Sequence, residues 1–307
     1  MARSLSYLNF KINLEQEIRN YWHIRCSLIY TERKWQDLGE ENWPSRITQQ
    51  NGDDRSPFKN IDLSPKDFLD NNKFVIEHSR ENAIVNFVTA FEVYLSDLTS
   101  RLIFLKPSLI KESEIDLDAH HLVKAVESNS TKLWLANYVS DKYLRNNSPK
   151  KLISKVAKLA KCGVEKEKEE DVKFWVNVTL LRNAIVHNGR RVTPELSNSW
   201  QEEFPTPGRK LNINDRIIVK THGTALTIAK SIDDRAITTT IKRDDSEALV
   251  RDYFIRTGID EHTTISKFAL NTIDVRLERN FIQQSISKQK KNPSEELGVQ
   301  IPTIIYE

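Results

Sequence analysis

Glycine is scarce in this chain, 8 residues in 307. Neither GxGxxG nor GxxxxGKS/T occurs, which removes the dinucleotide fingerprint and the phosphate-cradling P-loop, and with them two large classes of nucleotide enzyme. Cysteine is limited to Cys26 and Cys162, far apart in the chain. That excludes a multi-cysteine zinc site, gives no disulfide framework and suits a reducing compartment. Long apolar runs are missing too: no stretch of about 18 uncharged apolar residues occurs, and the opening segment meets Glu15 and Glu17 before an apolar core of signal-peptide length is complete. The expectation is a cytoplasmic protein without a membrane partner. No excess of one charge sign is present either, since 46 Lys and Arg face 43 Asp and Glu; any nucleic-acid contact must therefore come from a local patch.

What is present is ample material for a core, with 38% apolar residues in a length that suits one large or two ordinary domains. Residues 1 to about 38 read as helical. Gly39, Pro44, Asn51, Gly52, Asp53, Pro57 and Pro65 then mark a loop or linker. Within residues 80–104, Ile84, Val88, Phe91, Leu95, Leu98 and Leu102 recur at helical spacing and predict an amphipathic helix. A further helix is predicted from Ser148-Pro149, an N-cap followed by proline at the first helical position, to about Cys162-Gly163. Lys142, Arg145, Lys150, Lys151, Lys155, Lys158 and Lys161 lie in or before it with no acidic residue among them, which reads either as a solvated face or as a phosphate-tracking patch.

Glu169, Glu170 and Asp171 open the next predicted helix, where they suit its dipole. On that helix, about Val172 to His187, Phe174, Val178, Leu181 and Ile185 share one side. Val172, Val176, Leu180, Asn183 and His187 share another. It should pack on two sides, with the second stripe turning polar at its end. The helix closes as "LRNAIVHNG", residues 181–189. Asn-Gly is a good stop and a histidine in the last turn suits the helix dipole, so the plainest reading is a helix end. Arg182 lies about 140° from His187 on an ideal helix, so its long side chain, or unwinding at Asn188-Gly189, has to bring the two together. After this turn, residues 211–219 look strand-like, residues from about Thr224 to Ile241 look helical, and the final 20 or so are expected to be loosely ordered unless a partner or the N-terminal segment holds them.

Two other Arg-to-His pairs are rivals, Arg216 to His222 and Arg256 to His262, each one residue wider than Arg182 to His187. Neither follows a comparable apolar helix with asparagine second. The pair of segments "AIVNFVTAFEVYLSDL" and, about 85 residues later, "LRNAIVHNG" resembles the HEPN superfamily, and within it the branch whose signature is Arg-Asn, three residues, His, Asn, Gly. The resemblance covers about residues 76–242. It implies a mainly α fold: a HEPN-like helical bundle, here with a short strand-like insert and extra N-terminal (1–75) and C-terminal (243–307) segments. It further implies a metal-independent endoribonuclease without cofactor, acting as a homodimer in antiviral defence or as a toxin, with RNA as substrate and an antitoxin or defence-system protein as partner. Arg182, Asn183 and His187 are the matching catalytic positions. Many catalytic members carry tyrosine two residues after the histidine, where this chain has Gly189, and the superfamily also contains non-catalytic nucleotide-binding or protein-interaction modules.

The residue types fit such chemistry on their own terms. Histidine, with an ordinary pKa near 6.5, can take or give a proton at neutral pH. Arginine can hold phosphate oxygens bidentately, and asparagine can orient the imidazole or the ribose. A two-fold dimer would supply a second His187 as the other proton-transfer group. Around the motif, Arg190, Arg191, Lys151, Lys155 and Lys158 are candidate RNA contacts, and Asn188 is an accessory. Glu92 reads either as a structural carboxylate or as a group reaching toward the motif helix. His120 and His121, with Asp116 and Asp118 nearby, do not make a metal site, because adjacent helical residues point apart.

Overall fold

The computed structural model describes residues 2–47, 63–111, 118–128, 130–299 and 301–306. Much of the loop expected between 39 and 65, and Asp116, lie outside them. The chain is mainly helical, as its periodicity predicts. Its α-helices are, in order, α1 (Leu5–Leu38), α2 (Pro65–Leu105), α3 (Ala119–Glu127), α4 (Thr131–Leu144), α5 (Pro149–Leu159), the single turn α6 (Val164–Glu167), α7 (Glu169–His187), α8 (Pro194–Ser199), α9 (Asp215–Ala236), α10 (Asp244–Thr257), α11 (His262–Ile273) and α12 (Arg279–Lys291). Proline opens α2, α5 and α8, where its missing N–H costs nothing. Asp118, Ser130 and Thr193 cap α3, α4 and α8 by accepting from a backbone N–H in the first turn.

The strand-like reading of residues 211–219 is wrong. Asp215 onward is helical, because Ile217, Ile218, Thr221, Ala225, Ile228, Ala229, Ile232 and Ala236 are all buried and form one stripe at 3.6-residue spacing, which overrides the β preference of the Ile217-Ile218-Val219 run. The helix thus starts nine residues earlier than the expected Thr224. Extended pairing does occur nearby, as a single antiparallel bridge between Arg191 and Lys210.

Two compact units are built from interleaved stretches. One comprises Met1–Leu14, Val88–Thr179 and Thr221–Glu307; the other comprises Glu15–Phe87 and Leu180–Lys220. The first unit has an aromatic core in which Phe10 meets Tyr94 at 5.0 Å and Phe91 meets Trp175 at 4.5 Å between ring centres, while the Tyr94 hydroxyl donates to the Ala229 carbonyl. Its C-terminal stretch is held, not loose. Ile301 packs with Leu5, Leu249 and Ile273, Arg101 donates to the Leu297 carbonyl, and Gly298, at φ +64°, lies so close to Phe104 that an added Cβ would stand 2.3 Å from the ring. Leu5 of the N-terminal segment takes part in this holding, beside residues of α2, α10 and α11.

In the second unit, Asp215 at the start of α9 accepts from the Tyr21 hydroxyl and Arg80, with Arg25 at 3.6 Å. Burial raises the Asp215 carboxyl, but these donors outweigh it and hold the group below the ordinary range. Burial and the neighbouring carboxylate push the Tyr21 phenol up to about 12.

Candidate functional site

Helix α7 carries the motif from the core into solvent. Phe174, Val178 and Leu181 are buried, and Ile185 is half-buried. The second stripe runs from buried Val172 through half-buried Val176, Leu180 and Asn183 to exposed His187. The helix stays regular through His187, so nothing unwinds before Asn188. Arg182 consequently turns to its own neighbour, donating from Nη1 to Asn183 Oδ1 at 3.1 Å.

Beyond His187 the chain reverses. Gly189 and Arg190 are both left-handed, at φ +58° and +61°. Two carbonyls near the helix end accept from beyond the helix and not from the histidine: Arg190 N–H donates to the Ala184 carbonyl at 3.2 Å and Asn188 Nδ2 to the Asn183 carbonyl at 3.3 Å. The imidazole of His187 has no hydrogen-bond or ion-pair partner among the described residues. The Asn-Gly turn ends the helix, and His187 is left uncommitted.

Residues after the turn pair with a second segment. Val192 N–H donates to Arg209 O, Gly208 N–H to Val192 O, and Leu211 N–H to Arg190 O. One stripe of α2 engages the basic residues of this pairing. Phe74, Glu77, His78 and Glu81, spaced 3-1-3, share a helix face. Glu81, with a side chain only 6% exposed, takes Arg190 Nε at 3.0 Å. Arg190 Nη2 lies 3.0 Å from His78 Nδ1, and Lys210 Nζ lies 2.5 Å from Glu77. Arginine has only protons to give, so this imidazole nitrogen accepts. The chain matches no family model, no curated protein and no solved structure.

Of the residues singled out in the sequence, Arg182, Asn183, His187, Asn188, Arg190 and Arg191 belong to the second unit. Arg191 is exposed and donates to the Gly208 carbonyl at 2.9 Å. Glu92, half-buried, and Lys151, Lys155 and Lys158 on α5 belong to the first unit. Lys151 and Lys158 are exposed, whereas Lys155 donates to the Tyr143 carbonyl at 2.6 Å and lies over the Tyr143 ring. Arg145 pairs with Asp141, just outside the run that contained no acid. His121 and Asp118 pair with each other at the start of α3, and no group of metal-ligating side chains occurs among the described residues.

The sequence reading passed over Phe74, Glu77, His78, Glu81, Arg209 and Lys210. The signal available for the α2 residues was their shared face. Its partners stand 112 and 133 residues away, a pairing that spacing alone cannot reveal.

Proposed function

We propose that this chain is a metal-independent endoribonuclease of HEPN type. The observation that carries the reading is His187: an exposed imidazole, free of partners among the described residues, at the solvent end of a helix whose other face is buried. A histidine kept as a cap would be tied to a carbonyl of the last turn, and the His187 ring makes no such bond among the described residues. Arg182 and Asn183, in contact one turn earlier, supply a phosphate ligand and an orienting amide.

In the reaction, a base removes the proton of a ribose 2′-hydroxyl. The oxygen attacks the adjacent phosphorus, the bond from phosphorus to the 5′-oxygen breaks, and an acid protonates that leaving oxygen. The products carry a 2′,3′-cyclic phosphate and a 5′-hydroxyl. A single His187 performs one of the two proton transfers, and a homodimer provides the second through its other copy. Arg182, released from Asn183, stabilises the charge that accumulates on phosphate oxygens in the transition state. DNA has no attacking hydroxyl and is not cut. This chemistry suits a toxin or a defence nuclease held in check by a partner protein.

A second reading, a non-catalytic nucleotide-binding or interaction module, is favoured by Gly189 in the place of the tyrosine carried by many active relatives. The two separate in one experiment. Purified wild type and His187→Ala are incubated with mixed cellular RNA in excess chelator, and the new ends are tested for cyclic phosphate. Wild type should cut, and the variant should be slower by about 10²–10⁴-fold. Equal activity in both, or none in a folded dimeric wild type, removes the assignment.

A further inference from the structure

We propose that the Phe74–His78 face of α2, with the basic pairing of Arg190–Val192 and Gly208–Leu211, is a subsite for one unpaired nucleotide of a single-stranded RNA. Phe74 stacks on the base, and Arg191, Arg209 and Lys210 hold the flanking phosphates. This rests on the reading of the chain as an RNA-acting protein and adds where the strand lies.

The aromatic part is a phenylalanine that the fold does not use as core. Phe74 is 56% exposed. Its ring is parallel to that of His78, with 5° between the planes and 6.0 Å between the centres, so the two rings form a short ladder on one helix face. The bond from Arg190 fixes the orientation of the His78 ring. An exposed, oriented π surface beside cations is what sequence-tolerant binding of single strands requires, because every base has a π face.

The basic part is under-neutralised. Arg191 and Lys210 are directly opposed across the antiparallel bridge, an arrangement in which like charges repel. Lys210 has Glu77 as counter-charge. Among the described residues, Arg191 has only the Gly208 carbonyl and exposed Arg209 has no side-chain partner. A phosphate between the strands of this pairing supplies the missing negative charge. The carboxylates of the site are already engaged: Glu77 and Glu81 point at Lys210 and Arg190 and fix them beside the ring. Arg190 follows His187 by three residues, so a strand held here enters the motif turn.

Stacking and phosphate contacts do not read the 2′-hydroxyl, which separates this proposal from the catalytic one. A short fluorescein-labelled oligodeoxythymidylate should bind wild type, and an oligouridylate should bind the His187→Ala variant, in low-salt anisotropy titrations. Phe74→Ala should weaken both by about tenfold or more, with Phe74→Tyr near wild type. Arg209→Ala should lower the slope of log affinity against log salt by about 0.7. Both positions are exposed, and unchanged circular dichroism verifies folding. Binding by Phe74→Ala equal to wild type, or no binding of either oligonucleotide by any form, overturns the subsite whatever the cleavage assay shows. Weakened binding in Phe74→Ala alongside a wild type that cuts no RNA leaves the subsite standing and removes only the nuclease assignment.

Discussion

Arg190 holds a backbone angle, φ +61°, that costs an L-residue about 1–2 kcal/mol. The same residue makes the contacts that offset the cost, through Nε to nearly buried Glu81 and through Nη2 to His78. Glu81→Gln keeps an acceptor of the same shape and removes the charge. The expected loss is about 1–2 kcal/mol, since the arginine is itself partly solvated, and it should appear as a lower midpoint in urea unfolding. A midpoint equal to wild type would mean that solvent, and not Glu81, stabilises the turn. At this scale the sequence was legible where neighbours in the chain are also neighbours in space. Asn188-Gly189 ended the helix as expected. It was opaque where the partners come from α2, because a carboxylate at position 81 carries no mark of the arginine it will meet at 190.

Among the elements, periodicity decided what was readable. Ile84, Val88, Phe91, Leu95, Leu98 and Leu102, the stripe expected on α2, are each 0% exposed. Failure came at α9, where residues 211–219 looked strand-like although a buried stripe runs on from Thr221 to Ala236, about four turns. Propensity is a local preference of the order of tenths of a kcal/mol per residue, and a stripe of that length outweighs it. The first turn of α10 shows what periodicity cannot foresee. Asp245 there accepts from Arg101 Nε at 2.8 Å and from the Leu5 N–H at 2.8 Å, with both charged side chains at most 4% exposed. Through it, the start of α1, the end of α2 and α10 share one carboxylate. Asp245→Ala leaves Arg101 buried without its counter-ion, at a cost of about 3–5 kcal/mol. Chemical denaturation should show the loss with the denaturant slope unchanged; a loss under 1 kcal/mol would show that the Leu297 carbonyl suffices for Arg101.

For the whole molecule, pH acts on the two compact units with opposite sign. In the unit containing Asp233, that side chain is fully buried, accepting from the Ser4 N–H and hydroxyl. Burial pushes its carboxyl up to about 7, against the lowering effect of Ser4. A raised carboxyl binds its proton more tightly when folded, so stability falls as pH climbs from about 4, where the unfolded group ionises, to about 7, and then levels. The full difference is of the order of 4 kcal/mol. Asp215, in the other unit, is held low by Tyr21, Arg80 and Arg25 against its burial, so its contribution is present above about pH 4 and is lost as pH falls further. Between pH 5 and 8 only Asp233 titrates of these two. The melting temperature of wild type should therefore decline across that interval, while Asp233→Asn, which cannot ionise, should lack that part of the slope. A wild-type profile as flat as that of the variant would mean that Asp233 is charged in the folded chain throughout, with the Ser4 donors outweighing its burial.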